Sequence, residues 1–377
     1  MSAIRMVVAM FVVLMALTGR PAAPTPANGA ADPFAQLRIL VTGNDRNVYL
    51  IDGDGRKLRQ VTSHANASVF YPRYSWSPDH RYALLVRAGT NQAGDTTLLL
   101  NSSGALVSTL LKSSTELYPS WAFDADTVAY LAHDQSQSTC GASLACDTLT
   151  IGAVDIHGKT LGTLWTRTLD TAIGCGGGGE LSAPAVSQAI EDSMYPRSIQ
   201  WSSTGPLAVV DDQDLCPGWT AIVDRSTGTV TDWLDTNLNI CGHPGSYLQL
   251  SPTGTMYVVE TFSGQTPEIM VCSDRGPEIT ALPGQAPGWW IDGTLLYYSD
   301  CQAGECAIYL VDFKKGTYGR ISDWEPAYAL GPMQPVAGAL IFSRIEVLKN
   351  GNARVSVQRF DAKGFTTIAT WASRPVA

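Results

Sequence analysis

Apolar residues along this chain arrive in short runs: "YALLV" (82–86), "TVAYLA" (127–132), "PLAVV" (206–210), "MYVVE" (256–260), "TLLYY" (294–298) and "GALIF" (338–342). Each run is rich in β-branched or aromatic residues and follows a turn containing Gly, Pro, Asp or Ser. A helix would space its apolar positions three and four apart over ten or more residues, whereas runs this short, bounded by turn formers, predict strands. A second pattern interleaves with the first. "NVYLIDGDGRKLRQVT" (47–62) reads as two strands joined by a tight Asp-Gly turn, and six further copies follow, from "TTLLLNSSGALVSTLL" to "VSVQRFDAKGFTTIATW". Asp, Asn or Ser enters every turn, and Gly55, Gly104, Gly158, Gly228, Gly276, Gly316 and Gly364 supply the left-handed position such hairpins need.

The two patterns together form a repeat. "YSWSPDHRYALLV" (74–86) recurs as "SWAFDADTVAYLA" (120–132), "QWSSTGPLAVVDD" (200–212), "QLSPTGTMYVVET" (249–261) and "WWIDGTLLYYSD" (289–300). "MQPVAGALIFSRI" (333–345) is a sixth copy without the aromatic residue. Trp76, Trp121, Trp201 and Trp290 occupy one slot, taken by Leu250 in the remaining copy, and are expected to pack between neighbouring repeats. Each unit is then a strand A ending in Trp, an apolar strand B, and a hairpin C–D. B strands are expected to begin near Leu37, Tyr82, Thr127, Pro206, Met256, Thr294 and Gly338, spaced mostly 38–50 residues apart. That period predicts an all-β fold, a β-propeller of four-stranded antiparallel blades. Seven B–C–D sets with six A strands favour seven blades, the missing innermost strand coming from either chain terminus; six blades with a spare hairpin is the alternative.

Composition fits that reading. Charged residues make up only 16% of the 377, against about 25% in an average globular chain, and Gly is abundant at 35. The net charge of −9 disfavours a nucleic-acid partner, whose phosphates it would repel. Arg5 followed by the apolar stretch Met6–Leu17 reads as a signal peptide over residues 1–23, because twelve residues make a helix of about 18 Å, shorter than a hydrocarbon core of about 30 Å. An uncleaved anchor is the alternative. Residues 24–36, rich in Pro, Ala and Gly, read as a linker, and 37–377 as one propeller domain, expected to be monomeric, without a membrane span and secreted or periplasmic.

An exported chain with eight cysteines is expected to form disulfides, and none of the spacings suits zinc. Cys140–Cys146 and Cys301–Cys306 are close enough to clip single loops. Cys216 is expected to pair with Cys175 or Cys241, Cys175 being preferred for its longer loop. Cys272, near the end of a C strand directed to the opposite face, is expected to be a reduced core thiol.

"WSPDH" ahead of an apolar strand, with "VYLIDGDGRKLRQVT", resembles the TolB-type, WD40-like (PD40) propeller repeat. The likeness spans about residues 37–371 and is close only in the first copy; His80 stands where the family's SPDG has Gly, and "SPTG" (251–254) is the other near match. The resemblance implies a fold shared by periplasmic scaffold proteins and by the propeller domains of oligopeptidases, and no single activity.

Strand alternation puts the short A–B and C–D turns on one face and the B–C and D–A connections on the other. Long insertions at 134–147, 167–195, 213–219 and 235–246 belong to the second group, which marks the expected functional face. The starts of three A strands, "FYPRYSW", "LYPSWAF" and "MYPRSIQW", point to that face. Tyr71, Arg73, Glu116, Tyr118, Tyr195, Arg197 and the loop residue His243 are therefore the candidate ligand-binding residues of a central funnel, with Arg73 and Arg197 placed to grip a small anion. Asp211, Asp212 and Asp214 form a candidate Ca²⁺ site, the sole cofactor suggested. The Gly run at 174–179 lacks the strand–helix setting of a phosphate loop. No G-x-S-x-G elbow occurs, and no catalytic residue is assigned. The expected role is a binding or scaffold module for a protein, peptide or glycan partner; the rival is a lyase or glycoside hydrolase using carboxylates such as Glu116, Glu180 or Asp212.

Overall fold

In the described C–D hairpins the acceptor-rich residue at the turn entrance organises the loop. Asp52 Oδ1 accepts from the amides of Asp54 (3.1 Å) and Arg56 (2.9 Å); Asn101 Oδ1 accepts likewise from Ser103 and Ala105, and Asp155 Oδ1 from His157 and Lys159. Gly55, Gly104, Gly158, Gly316 and Gly364 adopt the positive φ the hairpins require. The A–B turns use a parallel device. Ser77 Oγ accepts the amide of Tyr82, as Ser251 Oγ accepts that of Met256, and both turns close through the fourth residue's amide. That fourth residue is left-handed in each: Gly254 at φ 71°, His80 at φ 56°. The histidine thus takes up glycine's conformation, its ring stacked on Trp76.

The computed structural model describes residues 33–89, 94–114, 117–122, 124–134, 146–170, 199–201, 207–210, 220–223, 230–232, 246–263, 266–273, 276–289, 293–331 and 333–377. Among these, strands form seven antiparallel sheets, of which five have four strands and two have a fifth short one. We number the sheets 1–7 in chain order. B strands begin at Ile39, Tyr82, Thr127, Leu207, Met256, Leu295 and Ala339, each within two residues of the position read from the sequence. The fold is a β-propeller.

Sheet 1 carries the closure. Its strands Ile39–Gly43, Val48–Ile51 and Lys57–Gln60 are completed by Ala372–Val376, the last strand of the chain, which pairs antiparallel with Ile39–Gly43. The missing A strand therefore comes from the C-terminus. Sheet 2 comprises Val69–Trp76, Tyr82–Gly89, Thr96–Asn101 and Leu106–Lys112; sheet 3 opens with Leu117–Trp121. In sheet 7 the A strand is broken into Ala329–Leu330 and Gln334–Val336, both on Ala339–Val347.

Alternate side chains of each sheet face its two neighbours, so the core is a series of layers between sheets. Leu40, Leu50, Tyr74, Trp76, Leu85 and Leu100 fill the layer between sheets 1 and 2. Leu84, Leu99, Trp121 and Val128 fill the next. The two tryptophans are inter-sheet packing, as their place in the repeat predicted.

Two expectations change. Pro33–Gln36, counted as linker, form a 3₁₀ turn whose Phe34 carbonyl accepts the amides of Leu37 and Gly53 and whose ring lies under the Arg359 guanidinium. Cys272 is fully buried but disulfide-bonded rather than reduced. A cysteine buried on a sheet face meets whatever packs against that face, so assigning bridges by disc face alone excluded the wrong residue. No helix among the described residues is long and apolar enough to cross a membrane.

Candidate functional site

The start of the sheet 2 A strand departs from regular pairing. Phe70 faces Ala88 and Arg73 faces Val86, leaving Tyr71 and Pro72 in a bulge. Proline gives no amide to a ladder, and a bulge re-aims the side chains around it. Tyr71 turns inward: it is 7% exposed within the layer between sheets 1 and 2, where burial raises its phenol pKa against the opposing pull of Arg87. Its sequence-derived role in the funnel gives way to one in the core.

Arg73 turns toward sheet 3. Its guanidinium donates to the Leu117 carbonyl (3.2 Å), pairs with Asp95 (3.4 Å) and lies 3.8 Å from the centroid of the Tyr118 ring. Asp95, itself buried, also accepts the amide of Leu117 at 2.9 Å. Asp95 ends the B–C connection of sheet 2 and Leu117 begins the next A strand, so this cluster sits on the face of the longer connections. Arg73 and Tyr118 do come together, as expected, but around a carboxylate of the same chain, with Tyr118 only 3% exposed. The arrangement clamps two A strands to one another.

The clamp recurs at the closure. Trp121 donates its indole N–H to the Ser75 carbonyl (3.2 Å) and Trp76 donates to that of Val376 (3.1 Å), so Ser75 and Val376 are equivalent. Counting back two residues from each makes Arg374 the counterpart of Arg73. Accordingly Arg374 Nη1 donates to the Pro72 carbonyl (3.2 Å), four residues before Trp76, as Leu117 lies four before Trp121. Arg374 is left-handed (φ 51°), and its carbonyl accepts the Tyr74 hydroxyl at 2.5 Å. Burial drives the Tyr74 phenol up to about 12, with Thr42 and Arg374 opposing. Arg374 and Asp95 were not legible as site residues. The signal was present for Arg374 alone, in its spacing from the end of the closing strand.

Measured from the tryptophans, Tyr71 and Tyr118 stand five and three residues upstream, so the three Tyr-Pro pairs are not equivalent. This explains why one tyrosine is core and the other lies beneath an arginine. Glu116, Tyr195, Arg197, His243, the Ca²⁺ candidates Asp211, Asp212 and Asp214, and the rival's Glu180 lie outside the described residues, as do Cys140, Cys175, Cys216 and Cys241. Cys146 begins the strand Cys146–Asp155, of which only the backbone is described at that point. Cys301 and Cys306 are joined, directly opposite each other across a B–C hairpin with Cα atoms 4.1 Å apart. Beside them Asp300 is buried and its carboxyl is raised by that burial, with Gln302 opposing. Among the described residues no group of three His, Cys, Asp or Glu side chains could hold a metal ion.

No protein-family model matches the chain, and no curated protein sequence matches it significantly. Solved structures do. An acylaminoacyl peptidase complex superposes with a TM-score of 0.55 at 9% identity, over 90% of this chain and 52% of the other. The β-propeller domain of the Trilobed protease from Pyrococcus furiosus, which has an open velcro topology, gives a TM-score of 0.50 at 9% identity, covering 86% and 87%. TolB from Acinetobacter baumannii gives 0.42 at 13% identity; this chain covers 64% of that protein, and 77% of its own length is matched. At these identities the likeness concerns the fold alone. It is that of a β-propeller.

Proposed function

We propose that this chain is a secreted or periplasmic, seven-bladed propeller of the TolB type that binds a protein, peptide or glycan partner through its long-connection face. One observation carries the reading. Side chains at the A-strand starts, Arg73 and Arg374, are spent on clamping neighbouring strands, so the clamped rim is a rigid support and the variable part of that face is its connections. Rigid sheets presenting long loops are suited to recognition of a surface larger than one small molecule. Acyl-peptide hydrolysis, the activity named for one structural neighbour, is not carried over, since the match to it is to a fold.

The test uses the exported protein, purified with its own N-terminus and immobilised, against extracts of the host's envelope and culture medium. A partner retained by the native chain should be lost when 171–195 is replaced by a short Gly-Ser link, with thermal unfolding unchanged. Retention of the same partners by both forms would refute the assignment of the face. Turnover of a peptide or polysaccharide that disappears in Glu116→Gln or Asp212→Asn would replace the binding reading with the enzymatic one.

A further inference from the structure

On the face of the short turns, a groove of about 470 Å³ is lined by Arg38, Leu50, Leu58 and Arg59 of sheet 1 and its entry, and by Ser103 of the sheet 2 turn. Its geometry follows from the pairing. Arg59 lies opposite Leu50 and Leu106 opposite Leu100, while both inner leucines belong to the core layer between the two sheets. Arg59 and Leu106 are therefore the outermost members of two facing layers, one cationic and one apolar. Gly104 lets the sheet 2 turn approach: a Cβ there would meet Val61 at 3.0 Å, and its φ of 73° disfavours any side chain.

Three features describe an occupant. First, Lys57–Gln60 is exposed at every residue and, among the described residues, is the edge of sheet 1, paired on its inner side alone, so its outer amides and carbonyls can accept one more strand. Second, the neighbouring cations are already engaged, Arg56 with Asp52 and Lys57 over the Trp371 ring. Among the described residues Arg59 forms no ion pair, and Arg38 meets only the backbone carbonyls of Gln36 and Leu37. In a chain of net charge −9, this corner is locally positive. Third, Leu106, three residues beyond the groove-lining Ser103 and on the side of sheet 2 that faces sheet 1, is 62% exposed and offers an apolar surface.

We propose that this groove binds an extended acidic–apolar peptide segment of a partner protein. The segment adds as a strand to Lys57–Gln60, its carboxylates meet Arg59 and Arg38, and an apolar side chain rests on Leu106. The proposal is independent of the long-connection face, and a partner lost there leaves it standing.

The probe is a fluorescein-labelled peptide of alternating Glu and Val, followed by anisotropy. It should bind at least about tenfold more tightly than its Lys–Val counterpart, and Arg38→Glu with Arg59→Glu should abolish that preference, as expected of charge-assisted hydrogen bonds. Arg59→Gln and Leu106→Ser should each weaken binding without lowering the melting temperature, which separates loss of the site from loss of the fold. N-methylation of alternate peptide amides should remove binding, because it removes the strand ladder. Equal affinity for the two peptides, indifference to N-methylation, an unchanged affinity in the double variant, or release by inorganic phosphate at constant ionic strength would each overturn the proposal. Self-association of the unliganded chain that Leu106→Ser abolishes would assign the groove to a second copy instead.

Discussion

The junction between sheets 1 and 2 and that between sheets 6 and 7 meet the same requirement by different means. At the first, directional bonds cross the layer: Trp76 to Val376, Tyr74 to Arg374 and Arg374 back to Pro72. At the second, Ile308, Ala327, Leu330, Met333, Leu340 and Phe342 pack as an apolar cluster beside the Cys301–Cys306 disulfide, with Arg344 donating to the Pro326 carbonyl at its margin. The first junction seats a strand about 300 residues distant from its partners in sequence. Hydrophobic burial alone is insensitive to register, whereas a hydrogen bond to a particular carbonyl is lost when a strand slips by one residue. Sheets 6 and 7 follow one another in the chain, so their connection limits slippage. Their repeat has also lost the aromatic residue that supplies the indole donor elsewhere.

The largest effect should come from removing residues 372–377. Sheet 1 would lose its innermost strand, Trp76 would keep a buried donor without its acceptor, and Tyr74 would be left with Thr42 alone, at a cost on the order of 5 kcal/mol. Calorimetry should show loss of a single cooperative transition; a truncated chain that unfolds like the native one would break the comparison. Next, Phe342→Ala should destabilise by about 3–5 kcal/mol through the cavity it opens at the 6–7 junction. Trp76→Phe should cost only about 1–2 kcal/mol, since much of the ring volume is kept and a hydrogen bond is lost. The sharper contrast lies in specificity: denaturant unfolding of the tryptophan variant should lose cooperativity at the closure first, read by amide hydrogen exchange in residues 372–376, and the phenylalanine variant should not.

The smallest effect is one of pH. Tyr74 titrates near 12 in the fold and at about 10 when unfolded. A group whose folded pKa is raised stabilises fully below the unfolded value, and its contribution falls as pH rises toward the folded one. Stability should therefore decline between about pH 10 and pH 12, and the decline should be shallower in Tyr74→Phe. Other buried tyrosines, Tyr298 among them, titrate late for the same reason, so the comparison is of slopes; identical slopes would show that Tyr74 is not held at the closure.

Much of the fold was legible because it repeats. Seven Asx-and-Gly turns and a recurring Trp-turn-strand unit placed every B strand within two residues, since turn chemistry and alternation act locally. The sites were less legible. Arg73 and Tyr118 were singled out as ligand groups, and the pair does meet, with Arg73 also paired to Asp95 of the same chain. Asp95 sits 22 residues beyond Arg73, in a connection with no motif of its own.

The sequence by itself determined the strand period, the turns, the pairing of Cys301 with Cys306 and the presence of one strand too few. Tertiary structure decided which terminus supplies that strand, which side of a bulge Tyr71 takes, what Cys272 meets, and that Arg374 repeats the part of Arg73. The physical reason is common to all four. Local patterns fix which face a residue is on, but what stands across from that face is set by residues tens to hundreds of positions away, and only the packed sheets bring them together.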